Sequence, residues 1–397
     1  ITFCISIGLI FFPLNPQYTF RSVPHRIEKV TEILSNYLVN KGYTISILSF
    51  IQNPSAFNKR AEIHYYQMPE QQYKSEKNNK YITELLVKEM YDIIIMQDSY
   101  APIENYILNN KSRIKTKLII VEHNTPNCGW LQFKYNLKTK KKIKDWLLAP
   151  YHYWYMSSHT TQRIQKLYSQ CDRYVLLSSK YIPIIKKVGN LPNFEKGYCI
   201  NNPLTIPPNS TYNSNKNKEI LFIGRFTQQK GINMLLKIWK NISKKHLDWN
   251  LILVGGGELE PYIKKYIKKN QLNNISLEPF TKDPSIYYKR ASILCLPSIF
   301  EGWGLVLTES MNYSCIPIAF HSFEAITEII NDQINGFIVP CFKTKSYQEK
   351  LEFLIMNTSI RKKMSIEAFK KSQKFDIKNI GYQWEKLFKI VVNEQTK

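Results

Sequence analysis

The chain is 397 residues long and 44% hydrophobic, with 55 Lys and Arg against 31 Asp and Glu and a formal net charge of +24. That length exceeds one ordinary domain and suits two, and the apolar content excludes a disordered chain. The charge favours anionic partners, part of it being the lysine bias of an AT-rich genome, while seven widely spaced cysteines without a Cys-x-x-Cys pair or zinc spacing argue against a disulfide scaffold and read as a reducing cytoplasm.

Residues 1–7 read as a buried strand. The apolar stretch continuing to residue 14 contains Gly8 and Pro13 and is shorter than the roughly 20 apolar residues a membrane span needs. After a loop with Pro13, Pro16 and Pro24, the positions Ile27, Val30, Ile33, Leu34, Tyr37 and Leu38 recur with helical period, and Lys41-Gly42 ends that helix. Residues 43–50 follow as a strand. A helix over 82–90 and short apolar strands at 91–96, 118–121 and 174–177 continue a βαβ rhythm, the pattern of a parallel sheet covered on both faces.

The Pro-, Asn- and Ser-dense segment 201–218 has no periodicity and reads as a linker. The rhythm then restarts. Strands are expected at 219–223, 250–254, 275–277, 292–296, 316–319 and 336–339, with helices around 232–239 and 258–267 and a final helical stretch over about 346–395. The expectation is α/β: two doubly wound domains with a boundary near 200–218.

Three segments carry polar chemistry at strand ends, where doubly wound sheets bind ligands. In "LFIGRFTQQKG" a buried strand ends at Gly224, and Arg225 and Lys230 flank the loop that enters a helix, two cations that suit a diphosphate. In "LVGGGELEPYI" three glycines link a strand to a helix whose start offers free amides, without the Rossmann G-x-G-x-x-G spacing or a Walker lysine. In "LPSIFEGWGLVLTESMNYSCIPIAF" Glu301 lies in a Gly-rich loop, and Gly304-Leu305 begin a helix that carries Glu309. A carboxylate set in an apolar helix requires a partner. Each segment read alone also fits a plain surface loop or tight turn.

Taken together, in that order and followed by "IPIAF…EII…NGFIV", these segments resemble the family-4 group of retaining glycosyltransferases. The likeness is dense over 219–339 and looser over 27–204. It implies the GT-B fold, two Rossmann-type domains facing each other across a cleft: 1–205 for the acceptor, 206–372 for a nucleotide-sugar donor, and a helix over 373–397 crossing back to the first domain. By the same resemblance Arg225 and Lys230 hold the donor diphosphate, Glu309 contacts the ribose, and Glu301 lies beside the donor sugar. Gly224, Gly302 and Gly304 approach the donor, Leu305 and Val306 offer backbone next to the phosphates, and Gly256 and Gly257 lie near the base. His123, in "LIIVEHNTPN", matches a histidine near the transferred sugar. The family often has a Gly-Gly pair before its first helix; here His25 and Arg26 stand in its place, and Arg26 brings a charge of its own.

No Asp-x-Asp occurs, which fits a reaction in which protein cations stabilise the leaving diphosphate, with neither metal nor cofactor expected. The expected activity is transfer of a sugar to a saccharide or lipid-linked acceptor in cell-surface glycan synthesis. A non-catalytic sugar-nucleotide or polysaccharide-binding module and another GT-B reaction, such as sugar-nucleotide epimerisation, remain open at this point. Residues 130–168 crowd Lys138, Lys140, Lys141, Lys142 and Lys144 among Trp130, Phe133, Trp146, Leu147, Tyr151, Tyr153 and Trp154. That mixture suits an anionic membrane surface, ahead of an acceptor cleft, a solvated helix face or nucleic acid, and the family resemblance, which implies lipid-linked acceptors, adds the expectation of a cytoplasmic protein at the inner face of the membrane.

Overall fold

The computed structural model describes residues 6–11, 26–49, 60–70, 75–97, 107–108, 110, 115–140 and 147–394. Contacts divide the chain into two units: residues 1–127, 150–205 and 377–397 form one, and residues 128–149 and 206–376 the other.

The first unit is built on a seven-stranded parallel sheet in the order β3-β2-β1-β4-β5-β6-β7. Its strands are β1 (Ser6–Phe11), β2 (Thr44–Ser49), β3 (Ile63–Gln67), β4 (Ile93–Met96), β5 (Lys117–Glu122), β6 (Arg173–Leu176) and β7 (Gly197–Cys199). Helix α1 (Arg26–Asn40) crosses from β1 to β2, and α2 (Glu76–Glu89) from β3 to β4. After β5 come α3 (Cys128–Lys140), which groups with the second unit, then α4 (Ala149–Gln170) and, after β6, α5 (Ile182–Gly189). Buried Ile45, Ile47, Ile93, Ile95, Ile119 and Val121 fill the sheet, the β-branched content that a covered parallel sheet selects.

The second unit holds a six-stranded parallel sheet in the order β10-β9-β8-β11-β12-β13, made of β8 (Asn217–Ile223), β9 (Asn250–Val254), β10 (Ile275–Glu278), β11 (Ala291–Leu296), β12 (Ile316–His321) and β13 (Phe337–Pro340). Besides α3, its helices are α6 (Ile232–Ser243), α7 (Glu260–Asn270), α8 (Ser285–Arg290), α9 (Leu305–Asn312), α10 (Ile326–Ile329), α11 (Thr344–Met356) and α12 (Thr358–Ser372) among the described residues. Helix α6 buries Ile232, Leu235, Leu236, Trp239 and Ile242, a stripe at helical spacing, and the Trp239 indole N–H donates to the Asn274 carbonyl at 3.1 Å. All six residues of β11 are buried.

Two doubly wound α/β domains are what the apolar rhythm predicts. The strands it did not reveal are β3 and β7, the two edges of the first sheet. The last helix, α13 (Ile377–Asn393), groups with the first unit, where Tyr37 donates to Glu385 at 2.5 Å and the Tyr43 and Phe388 rings meet edge-on at 5.8 Å.

Candidate active site at the carboxyl edge of the second sheet

Strand order fixes where a site can form. From β8 the chain adds β9 and β10 on one side, then returns to place β11 on the other. The loops leaving β8 and β11 therefore diverge at their carboxyl ends, the switch point where doubly wound sheets hold ligands. The loop after β8 carries Gly224, Arg225 and Lys230; the loop after β11 carries Glu301, Gly302 and Gly304.

Backbone contact draws these loops together. The Ile299 amide donates to the Gln229 carbonyl at 2.8 Å, and the Gln229 side-chain amide donates to the Phe300 carbonyl at 3.2 Å. Between them Gly231 adopts φ +66°, and a Cβ there would lie 1.9 Å from the Pro297 carbonyl oxygen, so no side chain fits. This closeness brings the Lys230 ammonium to 2.5 Å from Glu301 Oε1, with each side chain only 11% exposed. Arg225, at the tip of β8, is exposed.

The glycine turn after β9 packs on the same loop. Phe226 N–H donates to the Gly256 carbonyl at 2.8 Å, and Leu259 N–H to the Phe226 carbonyl at 2.9 Å. A Cβ on Gly255 would lie 2.0 Å from the Gly224 oxygen, and one on Gly257 2.8 Å from the Phe226 oxygen, so both glycines serve loop-to-loop packing. Gly256 differs: a Cβ there meets only Glu260 Oε2, at 3.9 Å, which leaves room above its backbone.

Gly304 caps α9 in the left-handed region at φ 76°, and the buried amides of Leu305 and Val306 open the first turn, where helix N–H groups lack carbonyl partners. Glu309 on this buried helix accepts a hydrogen bond from the Tyr288 hydroxyl at 2.7 Å. Tyr288 is itself pinned: the Lys216 ammonium donates to its carbonyl at 2.7 Å and also to the carbonyls of Lys289 and Tyr313. Burial pushes the Lys216 pKa down and the neighbouring Cys315 thiol up.

Four buried donors at the same end of the sheet find no hydrogen-bond partner among the described residues: Thr227 Oγ1 after β8, Ser298 Oγ and Trp303 Nε1 after β11, and Ser322 Oγ after β12. An unsatisfied buried hydroxyl or N–H costs about 1–3 kcal/mol, so their gathering at one edge marks a surface short of acceptors. Tyr288 and these four were not singled out from the sequence. The available signal was a hydroxyl placed just past an apolar strand, as in "LPS" and "FHS".

In the first unit His123 follows β5, and its Nε2 lies 2.6 Å from Gln97 Oε1, just past β4. That oxygen only accepts, so Nε2 carries the ring proton. Burial lowers the imidazole pKa to about 4, so the ring is neutral at pH 7 with its Nδ1 lone pair available as an acceptor. Its neighbour Glu122 is fully buried, accepts from the Tyr174 hydroxyl at 3.1 Å and faces the Arg163 guanidinium at 3.6 Å. The structure thus brings Gly224, Lys230, Glu301, Gly256 and Gly257 into one corner of the second unit and sets Glu309 on the adjoining helix. His25 lies outside the described residues. Arg26 is the first residue of α1, and only its backbone is described.

Among the described residues no group of three or more His, Cys, Asp or Glu is arranged to hold a metal ion, and no helix is long and apolar enough to cross a membrane.

Residues 208–371 match the family described as Glycosyl transferases group 1. The chain is 27% identical over 359 residues to an uncharacterized glycosyltransferase of Haemophilus influenzae, covering 90% of this chain and 94% of that protein. It is 26% identical over 57% of its length, and 62% of the relative's, to a Campylobacter jejuni α-1,4-N-acetyl-D-galactosaminyltransferase whose named saccharide ends in PP-undecaprenol. Among solved structures, Anabaena HepE in complex with UDP superimposes with a TM-score of 0.73 at 14% identity, over 97% of this chain and 99% of that one.

Proposed function

We propose that the chain, which has the GT-B fold and whose residues 208–371 match the family described as Glycosyl transferases group 1, is a glycosyltransferase that moves a sugar from a nucleotide-sugar donor to a saccharide or lipid-linked saccharide acceptor, with retention at the anomeric carbon. The product belongs to a cell-surface glycan or polysaccharide, and the work takes place at the inner face of the membrane.

The observation that carries this reading is the Lys230–Glu301 pair at the switch point beside Arg225. In this reading the donor diphosphate lies along the tips of β8 and β11. Charge grows on the leaving phosphate oxygen as the glycosidic bond breaks, and cations already in place stabilise it without reorganising. Arg225 meets the diphosphate from the solvent side, while Lys230 is held in place by Glu301. The backbone of Gly302, Gly304, Leu305 and Val306 adds amide dipoles, Glu309 receives ribose hydroxyls, and the open backbone of Gly256 admits the base. His123, neutral and accepting, receives a sugar hydroxyl. No metal or organic cofactor enters the scheme.

The test is a thermal-shift screen of UDP-, GDP- and ADP-sugars, followed by product formation with the best donor and a panel of saccharide and lipid-linked acceptors. A donor that raises the melting temperature and is consumed supports the reading. A donor that binds but never turns over with any acceptor points to a binding module instead. A screen in which no nucleotide-sugar shifts the melting temperature defeats the donor assignment.

A further inference from the structure

Helix α4 is divided in character along its length. Its buried residues are Ile164 and Leu167, both in the second half. Residues 151–160 include no buried position, so this half adds nothing to the core. Yet it concentrates large rings: Tyr151 is 59% exposed, Trp154 65% and Tyr155 50%. Tyr151 lies against Trp154 and Tyr155, with centroids 6.5 and 6.3 Å apart, and Tyr155 meets His159 edge-on at 4.1 Å. At spacings of three and four these rings form a single stripe down one side of the helix.

Folding does not select tryptophan and tyrosine on a helix half that buries nothing. Their rings pair an apolar body with a polar tip, the chemistry of the zone between lipid headgroups and acyl chains. The charge of the neighbouring sequence agrees. Helix α4 contains no Asp or Glu, and the stretch just before it in the chain supplies Lys138, Lys140, Lys141, Lys142 and Lys144. A basic approach and an aromatic stripe complement an anionic bilayer surface.

We infer that the first half of α4 is an interfacial anchor, with Tyr151, Trp154 and Tyr155 entering the headgroup layer of an anionic membrane. This deepens the reading that the chain works at a membrane face, and rests on it.

The test uses the full chain and vesicles of phosphatidylcholine alone or mixed with phosphatidylglycerol. The wild type is expected to bind the anionic vesicles at least tenfold more tightly at low salt, and brominated lipid is expected to quench its tryptophan emission. The combined variant Tyr151→Ser, Trp154→Ser, Tyr155→Ser, whose positions are exposed, is expected to keep the wild-type melting temperature and lose at least tenfold in vesicle affinity. Trp154→Phe should still bind while the quenching falls. Reversing Lys265, Lys268 and Lys269 on α7 to Glu serves as a control for general charge and should weaken binding less than the aromatic variant. Anionic-vesicle binding that survives the aromatic variant overturns the anchor and leaves the membrane reading standing. A wild type that binds no vesicle overturns both. Loss of a dimer, or of binding to a single-stranded oligonucleotide, in the aromatic variant of a chain that ignores vesicles reassigns the stripe to a second copy or to nucleic acid.

Discussion

Lys230 and Glu301 are 71 residues apart in the chain and 2.5 Å apart in space. Each lies in a place where a lone charge would be costly, and each relieves the other. A diphosphate arriving at this corner therefore meets a cation that already has an anion, and must share it or displace it.

Glu301→Gln should uncover that competition. Removing the carboxylate charge leaves the ammonium without its counter-ion, so nucleoside diphosphate should bind roughly tenfold more tightly, about 1.4 kcal/mol. The unliganded protein should melt earlier, and saturating nucleoside diphosphate should restore most of the loss. Melting curves with and without the nucleotide decide it. Unchanged nucleotide affinity would show that Lys230 does not face the diphosphate.

Arg225→Ala and Lys230→Ala should each lower turnover about 100-fold or more, beyond their effect on the donor dissociation constant, because removing a preorganised group at a site of developing charge costs about 3 kcal/mol. Steady-state kinetics alongside direct donor titration separates the two effects. Near-normal turnover at saturating donor in both variants would send the search to other cations, Arg26 first. Chelators should change the rate little.

Glu309→Ala should weaken donor binding before it slows transfer, since its proposed contact, the ribose, is remote from the breaking bond. Tyr288→Phe removes the hydroxyl that holds Glu309 at 2.7 Å and should move donor affinity the same way by a smaller factor, about threefold to tenfold, roughly 1 kcal/mol. Calorimetric titration of the donor into each variant checks the order.

Burial lowers the His123 pKa from the ordinary 6.5 to about 4. Between those values the unfolded chain binds the proton and the folded one does not, so this residue's contribution is whole above about pH 6.5 and is lost as pH falls toward 4. His123→Gln should flatten the loss of stability between pH 7 and pH 5 in paired denaturant titrations. A parallel slope in wild type and variant would contradict the assignment.

Gly231→Ala places a Cβ 1.9 Å from the Pro297 oxygen at a backbone angle of φ +66°. The loops after β8 and β11 must then part, at a cost of about 2 kcal/mol or more. Stability and donor affinity should fall together. Gly256→Ala, with open space above it, should spare stability and affect the donor alone.

Much of the fold is visible in the sequence because strands covered on both faces must be apolar throughout. "ILFI", "LILV" and "SILCL" announce themselves, and the Gly or Pro after each marks the carboxyl end. The edge strands carry no such signal. "IHYYQ" and "GYC" are covered less completely, tolerate His64, Gln67 and Gly197, and read as loop. The site is legible as residue types and order, but not as distances. Sequence places Lys230 and Glu301 at two strand ends without bringing them together, and gives no hint that Tyr288 holds Glu309. Nor does it separate Gly255 and Gly257, which pack one loop on another, from Gly256, which leaves space. That difference lies in backbone angles and neighbours that only the folded chain defines.

The grouping of α13 with the first unit has a consequence for vectorial synthesis. Every residue of the second unit has been polymerised once Asp376 is added, whereas the first unit, started earlier, still lacks the helix that carries Trp384, Leu387, Phe388 and Val391. Until that helix leaves the ribosome, the surface around Tyr37 and Tyr43 stands bare, including the ring that packs so tightly on Gly381 that a Cβ there would sit 2.3 Å away. A nascent chain stalled just past residue 376 would expose an apolar face for chaperones on its oldest part, while the younger part is already able to close.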